Sequence, residues 1–268
     1  MSAREPTRFR SALVTGASSG IGAAFARLLP AETRLLLTGR DRTALERLRD
    51  ELAAPERVDI VVADLALATE RPRVIDAAEA RAIDLLINNA GLGAFGPVID
   101  NDPAREAEMA EVNVVAPVVL TRALLPGMLA RARADGRRGG IIVVASVAAF
   151  APMARFATYA ATKAFDLHYA EALASELAGS PIDVLALCPG ATRTAFGARA
   201  GLPGGSPVSH SAERVARDGL AALGRRTVEV VGAANLAAAL SLRHLPRPLI
   251  RRGVAAVSAR IARRPPRV

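Results

Sequence analysis

The chain has no tryptophan, one cysteine, three histidines and two tyrosines in 268 residues. Each shortage closes off a class of protein. A single thiol cannot build an intrachain disulfide framework, which suits a reducing compartment, and the expected location is the cytoplasm. Cys188 ends the apolar run from Val184 and reads as a core side chain rather than a reactive thiol. His168 and His210 have no spacing partner, so no metal site can be read. Aromatics at 3% leave too few rings for a single-strand stacking platform, and no nucleic-acid partner is expected. No stretch reaches the ~18 uninterrupted apolar residues of a membrane span. The longest candidate, 228–242, is broken by Glu229, Gly232, Asn235 and Ser241. Met1 to Arg10 is polar and basic, without the apolar core of a secretory leader.

Basic charge is plentiful, with a formal net charge of +9 and a sequence pI near 11.1. Two clusters stand out, Arg131 to Arg138 and the tail from Arg243 through Arg267. A solvated loop and a solvated end would account for them. The tail could also lie on an anionic membrane surface, close a pocket over a lipid-like substrate or form a dimer arm.

Strand-like and helix-like runs alternate. Strands are expected over Ser11–Thr15, Arg34–Thr38, Asp59–Ala63, Leu85–Asn88, Ile141–Ser146, Asp183–Cys188 and Thr227–Val231. Helices are expected over Ile21–Leu29, Arg42–Leu52, Glu70–Arg81, Pro103–Ala134, Ala157–Ala178 and Ala212–Leu223. Near-continuous apolar strands separated by helices predict an α/β fold, a doubly wound, Rossmann-type parallel sheet of about seven strands with helices on both faces. One domain is expected over 10–262, between a flexible 1–9 and a flexible 263–268. A substrate loop is expected at 191–211 and a C-terminal extension at 233–262.

The run Thr15-Gly16-Ala17-Ser18-Ser19-Gly20-Ile21-Gly22 joins the first strand to the first helix. Glycines suit a turn where a backbone must approach a pyrophosphate without a Cβ in the way, and the helix N-terminus then favours the anion. Tyr159 and Lys163 are four residues apart, hence on one helix face, with Ser146 upstream. A close cation favours the phenolate and would bring the tyrosine toward a usable proton donor and acceptor near neutrality.

Together these motifs resemble the short-chain dehydrogenase/reductase family over roughly residues 10 to 195. Asn88-Asn89-Ala90-Gly91 is similar to the family's N-N-A-G motif, and Pro189-Gly190 with Thr194 to its P-G-x-x-x-T. Asn113 stands where the family carries a fourth catalytic residue. The resemblance implies an NAD(P)-dependent enzyme. Tyr159 would exchange a proton with the substrate oxygen, and Lys163 would lower the tyrosine's pKa and hold the nicotinamide ribose. Ser146 would hold the carbonyl oxygen, and the Asn113 side chain would hold a water linking Lys163 to solvent. It implies dinucleotide contacts at Gly16, Ser18, Ser19, Gly20, Ile21, Gly22, Arg40, Asp64, Leu65, Asn89, Ala90, Gly91, Tyr159, Lys163, Pro189, Gly190, Thr192 and Thr194. It also implies a homodimer or homotetramer built on the helices over 103–134 and 157–178.

The second strand ends Thr38-Gly39-Arg40-Asp41. An acid there would accept from the NAD ribose, whereas the Arg40 guanidinium suits the 2′-phosphate of NADP, the cofactor favoured here. A one-residue shift would bring Asp41 close to the ribose. Asp64 and Leu65 resemble the family's adenine-binding pair, although Asp64 also reads as an N-cap of the next helix. The substrate side should gather Leu92, Phe95, Val147, Phe150, Met153, Phe156 and Phe196, an apolar lining for a small carbonyl or alcohol compound. Arg155, Arg193 and Arg199 are candidates to bind a substrate carboxylate. The expected function is an NADP-dependent oxidoreductase interconverting a carbonyl and a hydroxyl. The alternatives are a long-chain 3-oxoacyl thioester reductase and a non-catalytic NADP-binding regulator.

Overall fold

The structure is a computed structural model and describes residues 9–52, 55–203 and 209–263. The chain runs β1 (Ser11–Thr15), α1 (Gly20–Leu28), β2 (Arg34–Gly39), α2 (Arg42–Glu51), β3 (Val58–Val62), α3 (Arg71–Ala80) and β4 (Leu85–Asn88). It continues with α4 (Pro103–Ala110), α5 (Ala116–Asp135), β5 (Gly139–Val144), α6 (Ala157–Glu176) and β6 (Ile182–Cys188). The two-residue strands β7 (Thr192–Arg193) and β8 (His210–Ser211) flank α7 (Phe196–Arg199). The last elements are α8 (Ala212–Ala222), β9 (Val228–Val230), α9 (Ala233–His244) and α10 (Arg247–Ala262).

Seven strands form one parallel sheet in the order β3-β2-β1-β4-β5-β6-β9. Its central strands are buried on both faces, so they read as continuous apolar runs rather than alternating ones. Side chains still alternate across the sheet. Val14, Leu35, Leu37 and Ile87 meet α1, α2 and α8 on one face, while Leu13, Leu36, Leu86 and Ile141 meet α3, α5 and α6 on the other. Each fully buried leucine or isoleucine adds roughly 1.5–3 kcal/mol of apolar transfer.

The strand boundaries expected from sequence hold to within a residue or two. The helix expected over Pro103–Ala134 is interrupted: a π-helical turn, Glu111–Val115, separates α4 from α5 and carries Asn113. As one rod, Pro103–Asp135 is long and apolar enough in composition to cross a membrane, but α5 spends Leu120, Leu124 and Met128 on the sheet core. The C-terminal extension is a pair of helices, α9 and α10. Phe9, at the edge of the segment expected to be flexible, is buried in the core. Residues 1–8, 204–208 and 264–268 of the expected tails and substrate loop lie outside the described residues.

The chain leaves β3 at one edge and returns to β4 beside β1. That reversal opens a crevice at the C-terminal ends of β1 and β4, the place where a doubly wound sheet accepts a ligand.

Candidate active site

The glycine turn occupies that crevice. Gly16 and Gly20 have φ of +64° and +57°, in the left-handed region that favours glycine. A Cβ on Gly22 would lie 2.4 Å from the Gly16 carbonyl oxygen, so the turn closes only without side chains. Asn89 fixes it from β4: its Nδ2 donates to the carbonyls of Thr15 (2.8 Å) and Gly16 (3.3 Å). Thr15 Oγ1 in turn accepts from the N–H groups of Asn89 and Ala90 (both 2.9 Å). Ser19, the N-cap of α1, makes no side-chain cap bond, so the first turn of α1 keeps donors facing the crevice. Thr194 lies over the same turn, with Cγ2 3.0 Å from where a Gly20 Cβ would stand. These features fit a dinucleotide pyrophosphate.

The end of β2 is more crowded than the sequence implies. Ser18 Oγ stands 3.4 Å from where a Gly39 Cβ would be. Asp41 accepts from the Ala44 N–H (3.0 Å) as the N-cap of α2, so its carboxylate is spent on the helix. Arg40 is half exposed and held by carboxylates, with Nη1 2.6 Å from Glu108 Oε1 and 3.5 Å from Asp64 Oδ2. Asp64 does not cap α3, whose N-cap is Glu70. Its Oδ1 accepts from Ala66 (3.0 Å) in a local turn. Leu65 points into the core, and its carbonyl accepts from Arg71 (2.8 Å).

Across the sheet, Ser146 after β5, Tyr159 and Lys163 on α6, and Asn113 in the π-helical turn come together from three separate segments. All four are buried. Ser146 follows β5, accepts from the Ala148 N–H (3.1 Å) and lies 3.5 Å from the Pro189 carbonyl. Burial pushes the Tyr159 hydroxyl up; Lys163 and a hydrogen bond with Ser146 pull it down, and Asp166 pushes it up again. The outcome lies above the ordinary phenol range, which corrects the expectation that the lysine brings this tyrosine toward neutrality.

Burial is the main cause, and Asp166, which the sequence did not single out, adds to it. Its Oδ2 lies 2.8 Å from Lys163 Nζ, one helical turn away on the same face of α6. Lys163 also donates to the Val144 carbonyl (2.8 Å). An ammonium has three N–H donors, so one is left toward the crevice, where Gly91 leaves room. Burial alone would lower Lys163; Asp166 foremost, with Tyr159, more than offsets it and holds the lysine above its ordinary value. Asp166 Oδ1 is buried without a partner. One compositional signal could have drawn attention here. Lys163 is the only lysine among 35 cationic side chains, the other 34 being arginine.

Asn113 is held on both sides. Its Oδ1 accepts from the Leu92 N–H (2.8 Å), and its Nδ2 donates to the Leu92 carbonyl (3.0 Å) and Thr162 Oγ1 (2.9 Å). The side chain clamps the loop after β4 to α6, and its Oδ1 keeps a second acceptor site.

An apolar cluster adjoins the Tyr159 ring. Phe156 stacks on it at 4.3 Å and Phe196 tilts against it at 5.4 Å, with Leu92, Phe95, Met153 and Ala200 around them. Val147 and Phe150, expected in this lining, are half-buried and pack instead against the edge of the core on the α5 and α6 face. Cys188 is buried beneath the site and pushed up to about 12 by burial, a core thiol. Two of the arginines expected to bind a substrate carboxylate are engaged elsewhere. Arg193 donates to the Ser209 carbonyl (2.8 Å) and Arg199 to Ser19 Oγ (3.3 Å). Of the remaining P-G-x-x-x-T positions, the Pro189 carbonyl accepts from Val147 (3.0 Å) and Thr192 Oγ1 donates to the Gly190 carbonyl (3.0 Å).

The family model for the short chain dehydrogenases matches residues 10–201. The chain belongs to the short-chain dehydrogenase/reductase family. Dehydrogenase/reductase SDR family member 7B of Bos taurus is 33% identical over 82% of this chain and 72% of its own length. The 1-deoxy-11-beta-hydroxypentalenate dehydrogenase of Streptomyces exfoliatus is 39% identical over 77% of each chain. A short-chain dehydrogenase from Sphingobium yanoikuyae, solved with NADPH, superposes with a TM-score of 0.72 at 31% identity, covering 87% of this chain and 93% of its own. The glycine crevice after β1 and the Tyr159 cluster beside the end of β5 lie at the same, C-terminal end of the sheet.

Proposed function

We propose that the protein is an NADP-dependent oxidoreductase interconverting a carbonyl and a hydroxyl group on an apolar substrate. The observation that carries this is the buried Tyr159 hydroxyl, set between Ser146 and Lys163, beside an apolar cluster and the glycine crevice. The name of the pentalenate relative, a dehydrogenase of a hydroxylated compound, supports the reaction class. The NADPH-bound neighbour and the Arg40 guanidinium support the cofactor choice.

The nicotinamide dinucleotide, when bound, supplies or accepts the hydride. The chain does the rest. Gly16 to Gly22, Asn89 to Gly91 and the Pro189 to Thr194 segment form the cradle, with the α1 N-terminus facing the pyrophosphate. Ser18 and Arg40 face the adenosine end. Ser146 Oγ donates to the substrate oxygen and orients it. Tyr159 gives its proton to that oxygen in reduction and takes it back in oxidation. Lys163, anchored by Asp166 and Val144, offers its remaining N–H to the nicotinamide ribose. Asn113 holds Leu92, and so the pocket wall, in place. Phe95, Phe156 and Phe196 exclude water and select an apolar substrate. A second copy of the chain is the proposed protein partner, meeting α5 and α6, where Phe165 is exposed.

The test is NADPH consumption, with NADH in parallel, against ketones and aldehydes, steroids and long-chain 3-oxoacyl thioesters. Turnover with NADPH that drops by about 10²–10⁴ in Tyr159→Phe is expected, the usual span of a positioned acid–base group. Dinucleotide binding without turnover on any of these would favour the regulatory reading, and turnover confined to the thioesters would favour the thioester reductase.

A further inference from the structure

The basic charge of this chain is not spread over it. Residues 233–268 hold eight arginines (243, 247, 251, 252, 260, 263, 264 and 267) and no acid. The remaining residues, 1–232, then hold 35 − 8 = 27 cations against 26 acids, a balance of +1 out of +9. The other basic cluster is tied down internally, with Arg131 donating to the Ile83 carbonyl and Arg138 paired with Asp183.

The same segment exposes apolar surface. Of nine large hydrophobic side chains exposed among the described residues, five fall here: Leu236, Leu240, Leu245, Leu249 and Val257. In α10, Ile250 and Ser258 are buried, while Leu249, Arg252, Ala256, Arg260 and Arg263 are exposed at helical spacing and share the outward face. In α9, Leu236 and Leu240 share an exposed face and border a shallow cavity of about 170 Å³ with Phe150 and Val228.

We propose that α9 and α10 form a docking surface for an anionic lipid bilayer, with the leucines seated at the headgroup boundary and the arginines on lipid phosphates. Arginine stems can lie along apolar surface while their heads reach the phosphates. At 12 and 16 residues the two helices extend only ~18 and ~24 Å, short of the ~30 Å hydrocarbon core, so they lie on the surface rather than cross it. A second copy of this chain would bring one all-basic segment against another, which opposes self-association through this face. Nucleic acid would leave the leucines in water. The surface is mechanically joined to the active site. Asn235 of α9 sits 2.4 Å from where a Gly190 Cβ would be, and Gly232, just before α9, packs against His210. A docked enzyme would therefore hold its substrate segment close to a lipid phase.

The full-length protein is sedimented with vesicles of phosphatidylcholine alone and with about a third phosphatidylglycerol. Binding to the anionic vesicles only, weakened by salt, is expected. Arg252→Glu with Arg260→Glu should weaken it by about tenfold or more, each basic side chain near such a surface contributing about 1 kcal/mol. Leu249→Ser should weaken it without changing the salt dependence. Arg47→Glu with Arg73→Glu, the same change of net charge on exposed sites elsewhere, should have a much smaller effect. No binding to anionic vesicles, equal losses in the two charge-reversed pairs, or binding to duplex DNA without binding to vesicles would overturn the proposal. Vesicle binding is read without turnover, so its failure leaves the oxidoreductase reading untouched.

Discussion

Lys163 and Asp166 form a buried ion pair, Nζ to Oδ2 2.8 Å, one turn beyond Tyr159 on the same helix. Burial raises the Tyr159 hydroxyl above its ordinary value of 10.0; Lys163 pulls it down, and Asp166 pushes it up by a smaller amount. Reduction needs the phenol protonated, so its rate should persist up to that range. Oxidation needs the phenolate and should rise only toward alkaline pH. Asp166→Asn keeps an acceptor for Lys163 and removes the negative charge. With Lys163 still protonated, the phenolate becomes less disfavoured. The alkaline limb of reduction should then move to lower pH, and the onset of oxidation with it. Cys188, which also faces the pair, is pushed up to about 12 and stays neutral through this window. pH profiles of kcat/KM in both directions measure the shift. A limb that stays in place, or moves up, would mean that Asp166 does not act on Tyr159 in this way.

Arg40 is shared between Glu108 and Asp64, and Glu108 also meets Arg105 at 2.7 Å. A 2′-phosphate must compete with these carboxylates. Glu108→Gln should free the guanidinium and lower KM for NADPH several-fold, with little change for NADH. Arg40→Ala should raise KM for NADPH by about tenfold or more, in line with the ~1.5–3 kcal/mol of a hydrogen bond to a charged group. Equal effects on both cofactors would remove Arg40 from phosphate recognition.

Arg199 reaches Ser19 from α7, 180 positions away, and so stands beside the turn proposed to hold the pyrophosphate. Phe196, on the same short helix, packs against Tyr159. Arg199→Ala should weaken dinucleotide binding several-fold for NADPH and NADH alike, measured by fluorescence titration. An effect on substrate KM alone would return Arg199 to the role of a substrate-carboxylate partner.

Asn113 is fully buried and makes three hydrogen bonds, two to Leu92 and one to Thr162. Asn113→Ala would strand polar groups on both, at about 1–3 kcal/mol for each one left buried. The midpoint of urea unfolding should fall, and activity should fall with it because Leu92 lines the pocket. Full stability with lost activity would instead restore a direct role in proton transfer.

The period of the apolar residues was enough to predict the strands and most helices, because a parallel strand buried on both faces leaves a continuous run and an amphipathic helix a spaced one. The glycine turn and the Tyr159–Lys163 pair were legible for a similar reason. Their chemistry depends on local backbone form and on i, i+4 spacing, both written in consecutive residues. Packing decided the rest. Only the fold turns Val147 and Phe150 away from the Tyr159 cluster, puts Glu108 against Arg40 and swings Arg199 back to Ser19, since these contacts join segments distant in the chain. Asp166 stood in plain view three residues after Lys163, yet its weight comes from burial: in water a carboxylate there would be one more surface charge, and in the core it pairs with the lysine beside the tyrosine.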